Sequence, residues 1–184
     1  MLSGTMIGMY EIKCLNTSQV NQFYNFIERN RTSFADTMPV ANRVISIDTA
    51  LVELNVIERK NNEGKGYYYA LYNDETMIGY FLIREIDKEA EWAEIGYAID
   101  KKWTGKGLVT KACKLLLEEI FEILKLNKAV ICCNDDNENS KAMAERLGFK
   151  QEGILRDYCV VNYKRRNMVV YGLLISEYKM APKS

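Results

Sequence analysis

A chain of 184 residues, 48% hydrophobic and 27% charged, is long enough to bury a core and has the balance of one globular domain, assigned to 1–184. Its 25 basic residues offset 25 acidic ones, so no global charge draws it to nucleic acid or an anionic membrane surface. No apolar run approaches the roughly 20 residues that cross a bilayer, the start Met1-Leu2-Ser3-Gly4-Thr5 lacks a secretory-signal pattern, and no histidine is present to serve as base or metal ligand.

Only Pro39 and Pro182 interrupt the chain, and no linker or repeat divides it. Tyr10 to Leu15 alternates as a strand. Thr17 or Ser18 offers a cap for a helix to Asn30, with Val20, Phe23, Tyr24 and Ile27 on one face. Periodicity then fades from Arg31 to Ile47, Asp48 suits the start of a helix through Arg59, and Asn61 to Gly66 reads as a turn. Three strand-like runs, Tyr67–Tyr72, Met77–Ile86 and Glu91–Ile99, are joined by short polar turns and predict an antiparallel meander.

From Leu108 to Lys125 the period becomes helical. Leu108, Ala112, Leu115, Leu116, Ile120, Ile123 and Leu124 form the apolar stripe, and Lys111, Lys114, Glu118, Glu122 and Lys125 face water. Ala129–Cys133 is a short buried strand, Ser140–Leu147 a helix ended by Gly148, and strands near Gln151–Val161 and Met168–Ile175 close the fold. The central strand–helix–strand unit predicts that the strands near 91–99 and 129–133 run parallel, at a point where ligands favour the diverging carboxyl ends. The five cysteines are odd in number, and neighbours Cys132 and Cys133 point to opposite faces of a strand. This reads as reduced thiols in a cytoplasm.

The stretch Ile99-Asp100-Lys101-Lys102-Trp103-Thr104-Gly105-Lys106-Gly107-Leu108-Val109 ends a strand, turns on glycines and starts the long helix. The first amides of a helix lack internal partners and carry partial positive charge. Gly105 and Gly107 allow close backbone approach, and Lys102 and Lys106 add cationic character, so a diphosphate fits here. The alternative is a tight turn with solvated lysines. A P-loop is excluded because Gly107 follows Gly105-Lys106, and a dinucleotide fingerprint because position 110 is threonine.

Lys102-x-x-Gly105-x-Gly107 resembles the Q/R-x-x-G-x-G/A signature of GNAT acetyltransferases. Asn137-x-x-Ser140, Ala144-Glu145-Arg146-Leu147-Gly148-Phe149 and Glu152-Gly153 resemble the second half of that family. Glu94-Ile95-Gly96-Tyr97 and Tyr171 to Tyr178 are similar to its ribosomal-protein alanine/serine N-acetyltransferase branch, the latter as a last strand. The resemblance implies a GNAT α/β fold: a mixed, mostly antiparallel sheet of about seven strands with helices on both faces. It also implies acetyl-CoA as cosubstrate and no metal. The Thr104 to Val109 amides would hold the pyrophosphate, with Leu108 among them, and Ile99 would pair with the pantetheine arm. Asn137 and Ser140 would stand near the sulfur. The family's frequent tyrosine acid is replaced by Ala144, and a frequent aspartate by Asn167, so neither role carries over.

The resulting expectation is direct transfer to an amine. Glu94 accepts the proton, or else is a scaffold residue; Ser140 assists the leaving thiolate, or else caps its helix; an amide near Tyr97 or Ala98 steadies the oxyanion. An α-amine, with a pKa near 7.7–8.0, is about a fifth neutral at pH 7, whereas a lysine amine is neutral about once in a thousand molecules. That favours a protein N-terminus as acceptor; the segment from Arg31 to Ile47, with Phe34, Met38 and Pro39, is a candidate acceptor wall or else a plain connecting loop. The rival readings are a small-molecule amine such as a polyamine, for which Asp135-Asp136-Asn137-Glu138 is the nearest acidic patch, and a non-catalytic acyl-CoA-binding module. No nucleic acid or membrane is expected as partner despite Lys164-Arg165-Arg166, and family analogy allows a homodimer.

Overall fold

The computed structural model describes residues 2–161 and 164–180, so Pro182 lies outside the described residues. A short strand absent from the sequence reading, β1 (Thr5–Ile7), turns back at Gly8 (φ +64°) onto β2 (Tyr10–Cys14). Asn16, rather than Thr17 or Ser18, caps the next segment: its side chain accepts the Ser18 amide, and Gln19 closes the capping box. After one 3-10 turn, α1 (Val20–Phe34) runs a turn past Asn30.

The aperiodic stretch holds a helix of its own, α2 (Pro39–Arg43), with Pro39 in its first turn. Arg31 pins it by donating to the Ala41 and Val44 carbonyls at 2.7 and 2.8 Å. Ser46, not Asp48, caps α3 (Ile47–Glu63), which consumes the first half of the expected turn and stops at Gly64 (φ +65°).

The meander is as expected: β3 (Tyr67–Asn73), β4 (Thr76–Asp87) and β5 (Trp92–Ile99) pair antiparallel. Then come α4 (Leu108–Glu118), β6 (Lys128–Asn134), α5 (Glu138–Arg146), β7 (Lys150–Val161) and β8 (Lys164–Leu174). The residues from Ile175 onward, expected to complete the last strand, form α6 (Ile175–Met180). The sheet has eight strands, in the order β1-β2-β3-β4-β5-β6-β8-β7. Every neighbouring pair is antiparallel except β5 and β6.

Two cores lie on opposite faces of the sheet. Phe23, Phe26 and Ile27 of α1 and Leu54 and Ile57 of α3 pack with Tyr68, Ala70, Tyr80 and Leu82. On the other face, Leu108, Ala112 and Leu116 of α4 and Ala144 of α5 pack with Tyr69, Phe81, Ile95, Ile131, Val169 and Tyr171. Helices therefore cover both faces.

The stripe of α4 departs from expectation at its end. A π-turn spans Glu119–Ile123, with the Leu124 amide reaching back to the Glu119 carbonyl at 2.8 Å. The extra residue in that turn shifts the phase, so Ile123 is 65% exposed while Glu119 is buried. The Glu119 carboxylate accepts the Tyr69 hydroxyl at 2.6 and 2.8 Å to its two oxygens. Tyr69→Phe removes a donor from a buried carboxylate, and unfolding in denaturant is expected to show a loss of about 1–3 kcal/mol.

Candidate functional site

The sheet opens at its one parallel junction. Trp92, Ala93 and Glu94 pair with Lys128, Ala129 and Val130, and beyond them β5 and β6 no longer pair. Ile95 to Ile99 instead pair only with β4, on the far side. The Asp100 amide bonds to the Ile78 carbonyl of β4, and Lys128 donates to the Glu91 carbonyl from the β6 side. Strand alternation between those two points turns the Tyr97 and Ile99 amides toward β6, into the opening, and the Ala98 amide toward β4. Of the two amides offered for an oxyanion, Tyr97 is the one on the cleft, and Ile99 is placed to pair with an extended chain.

At the end of this opening sits the glycine loop. Asp100 Oδ1 accepts the Lys102 amide at 3.1 Å, and Thr104 Oγ donates to the Lys101 carbonyl at 2.9 Å, which closes a tight turn over 101–103. Gly105 (φ +76°) and Gly107 (φ +71°) then take the left-handed region, and Gly107 is the residue before the first turn of α4. Among the described residues, none of the amides from Gly105 to Thr110 donates to another group of the chain. Neighbouring amides are used: Trp103 and Thr104 bond back to Asp100 and Lys101, and Lys111 bonds to Gly107. A Cβ built on Gly105 or Gly107 meets nothing within 4 Å.

The result is a run of exposed N–H groups at a helix start, which is the chemistry of a diphosphate site. Leu108 anchors the helix with 4% exposure, Val109 packs against the same core, and Lys102 and Lys106 stay exposed. Lys106 Nζ stands 4.1 Å from the centre of the Trp103 ring, which is itself edge-on to Tyr10 at 5.5 Å.

Glu94 faces the opposite core from Ile95, on the side of α1–α3. The residue is 9% exposed, and its Oε1 accepts Arg84 Nη2 at 2.7 Å. Burial pulls the Arg84 guanidinium down, but the Glu94 bond holds it above its usual value. Oε2 of Glu94 and the buried Nε of Arg84 have no partner among the described residues. Cys132 lies on this same face while Cys133 belongs to the α4 core, as the strand alternation requires. Burial, and then the Glu94 carboxylate, push the Cys132 thiol up to about 11, which leaves it a poor nucleophile.

Asn137, not Ser140, caps α5: Asn137 Oδ1 accepts the Ser140 amide at 3.1 Å. The Ser140 hydroxyl is thereby free for other work. It lies beside the Tyr97 phenol, whose oxygen is buried without a hydrogen-bond partner of good geometry. Burial pushes Tyr97 far above the usual tyrosine range, and Ser140 offsets part of that. The Tyr97 phenol thus stands beside α5, a place that its sequence motif did not announce. Glu94 and Ser140 thus stand on opposite faces of the sheet with the opening between them. Ala144 is fully buried core.

Other candidate groups are used elsewhere. Phe34 and Met38 are 5% and 6% exposed and belong to the α1–α3 core, so they do not line an acceptor wall; Pro39 is exposed. The acidic patch is engaged at the surface: Asp136 pairs with Arg166 at 2.5 Å, Glu138 with Lys141 at 2.8 Å, and Asp135 accepts Asn167 Nδ2 at 2.8 Å. Asn167 Oδ1 also accepts the Asp157 amide at 3.0 Å, holding a bulge of β7 where Asp157 has φ +51°. Asn167 is therefore a bracket for the β7–β8 hairpin. Among the described residues no helix is long and apolar enough to cross a membrane.

A family profile described as an acetyltransferase (GNAT) domain matches residues 15–150. The Bacillus subtilis protein YdaF is 40% identical over 114 residues, a stretch that spans 62% of this chain and 62% of that relative. A ribosomal-protein-serine acetyltransferase of Escherichia coli is 24% identical over 165 residues, covering 90% of this chain and 92% of its own. Among solved structures, the ribosomal alpha-N-protein acetyltransferase RimL in complex with coenzyme A superposes with a TM-score of 0.88 at 19% identity, over 96% of this chain and 98% of that one.

Proposed function

Because this chain belongs to the GNAT acetyltransferase family, we propose that it works as one domain that moves the acetyl group of acetyl-CoA onto the N-terminal α-amine of a protein. The observation that carries this reading is the run of unbonded amides from Gly105 to Thr110, set at the end of a sheet opening whose β5 lip offers the Tyr97 and Ile99 amides. A relative of similar length that acts on a ribosomal protein supports the acceptor class.

Bound acetyl-CoA supplies an activated thioester. The Gly105–Thr110 amides hold its diphosphate, and the Ile99 edge aligns the chain that leads to the sulfur. The Tyr97 amide donates to the carbonyl oxygen as that atom gains negative charge. Glu94 Oε2, on the α1–α3 face, accepts the proton lost by the amine, directly or through one water, as the N–C bond forms. Arg84 fixes that carboxylate in place. The Ser140 hydroxyl hydrogen-bonds the departing sulfur from the other face, where Tyr97 also stands. Lys102, Lys106 and Asn137 complete the cofactor side by position, with Asn137 Oδ1 already committed to α5.

An α-amine suits a site without histidine, because a useful fraction is already neutral. The acidic patch of the polyamine alternative is partly neutralised by surface pairs with Arg166 and Lys141, which makes it a weaker polyamine site. A thiol-release assay with acetyl-CoA is therefore expected to rank a peptide with a free N-terminus above the same peptide N-blocked but carrying lysine, and above spermidine. The opposite ranking would overturn the acceptor assignment. Stabilisation by acetyl-CoA with no thiol release from any amine would favour a binding module. The five unpaired thiols fit a reducing cytoplasm.

A further inference from the structure

The polar side chains buried among the described residues are Asn30, Glu94, Asp100, Glu119 and Asn134. Glu94 faces the acceptor side and Glu119 holds Tyr69. The other three gather at one place, where α1 and the segment after it meet the diverging ends of β5 and β6. On the β5 side, Arg29 Nε donates to Asp100 Oδ2 at 2.5 Å and Arg29 Nη2 donates to the Met77 carbonyl. Next to it, Asn30 Oδ1 accepts the Lys101 amide at 3.3 Å, while Asn30 Nδ2 is anchored on the Phe26 carbonyl at 3.0 Å. On the β6 side, Asn134 Nδ2 donates to the Asp36 carbonyl at 2.8 Å. Burial pushes the Asp100 carboxyl up, but Arg29 and the Lys102 amide hold it below its usual value, so the β5 tether is an ion pair.

β5 and β6 share no ladder bond beyond Glu94 and Val130. The sheet itself therefore does not fix how far apart the two lips stand. Yet one continuous segment, α1 with the turn that follows it, is bonded to both lips through buried groups, and a buried polar group that loses its partner is costly. We propose that Arg29 and Asn134 are positioning residues which clamp the β5 and β6 lips, through α1, at the separation that admits the acyl-bearing arm of acetyl-CoA. This rests on the reading of the opening as an acyl-CoA cleft and goes beyond it by naming what sets the cleft's width. The turn that leads into the 105–110 cradle also uses Asp100 and Lys101, so the Arg29 end of the clamp borders the cradle, whereas the Asn134 tether touches no residue of that turn.

The separation of roles gives the test. Titration of wild-type protein, Arg29→Ala, Asn134→Ala and the double variant would use acetyl-CoA and, separately, its nucleotide half, adenosine 3′-phosphate 5′-diphosphate. Asn134→Ala is expected to bind acetyl-CoA about tenfold more weakly while binding the nucleotide half within about twofold of wild type, and Arg29→Ala to lose at least as much acetyl-CoA affinity together with part of its nucleotide affinity, because Asp100 serves both. The double variant is expected to match Arg29→Ala, because a clamp released at one end no longer sets the gap. Arg29→Lys, which keeps a charge on Asp100, recovers most of the affinity and guards against misfolding of the alanine variants. Parallel loss of both ligands in Asn134→Ala, unchanged acetyl-CoA affinity in either single variant or additive losses in the double variant would each overturn the clamp. Wild-type protein that binds neither ligand would instead overturn the acyl-CoA reading on which the clamp stands.

Discussion

Gly107→Val is expected to weaken coenzyme A binding about a hundredfold, as calorimetry on the folded variant would read it, which corresponds to the loss of one or two strong hydrogen bonds. Folding and binding respond separately to this change. Gly107 has φ +71°, where a β-branched residue is strained by about 1–3 kcal/mol. A Cβ there meets no atom of the protein within 4 Å, so no core contact is lost and the variant should fold with a modest fall in melting temperature. What changes is the direction of the amides. To relieve the strain the backbone must rotate toward negative φ, and the Gly107 and Leu108 N–H groups turn away from their common focus. The new side chain also fills the space in which a diphosphate would lie. Unchanged affinity would mean that the cradle is a plain turn.

Glu94→Gln is expected to lower kcat by about a hundredfold while leaving coenzyme A affinity within about twofold, the size of effect that a positioned proton acceptor supplies. Gln is isosteric and can still accept the Arg84 bond seen at 2.7 Å, so the local packing survives. Its second polar atom becomes a donor, which can no longer take the proton from the amine. The cofactor amides lie at the other end of β5 and are untouched. Wild-type turnover in this variant would return Glu94 to the status of a scaffold residue held by Arg84. A parallel rise in the coenzyme A dissociation constant would point the same way.

Elements driven by strong periodicity could be read from residues alone. The β3–β5 meander, the start of α4 at Leu108 and the parallel junction all follow from alternation, turn residues and one switch of period. What escaped was decided at longer range. Asn16 displaced Thr17 and Ser18 as cap because Gln19 answers it three residues on. The helix α2 exists in an aperiodic stretch because Arg31, from the preceding helix, binds its carbonyls. Glu119 enters the core only because a π-turn rotates it toward Tyr69, on a strand fifty residues earlier.

The site shows the same division. The glycine loop was visible because its chemistry is local. The choice between Tyr97 and Ala98, and the part of Asn137 rather than Ser140 in capping, needed the strand register and the cap geometry. The tethers Arg29–Asp100 and Asn134–Asp36 left no trace in spacing, since each joins residues 71 and 98 positions apart.

The irregular course of β7 bears on behaviour at high concentration. This strand and β1 are the two borders of the sheet, and β7 carries solvent-exposed Ile154, Tyr158 and Val160. A straight border with those side chains would invite neighbouring molecules to add strand upon strand. The pairing of β7 with β8 instead slips between Gln151 and Gly153 and again between Leu155 and Cys159, and Asn167 locks the second kink. The opposite border, β1, is too brief to act as a template. The bracket at Asn167 thus guards solubility, and its loss would show as precipitation on storage before any loss of the fold.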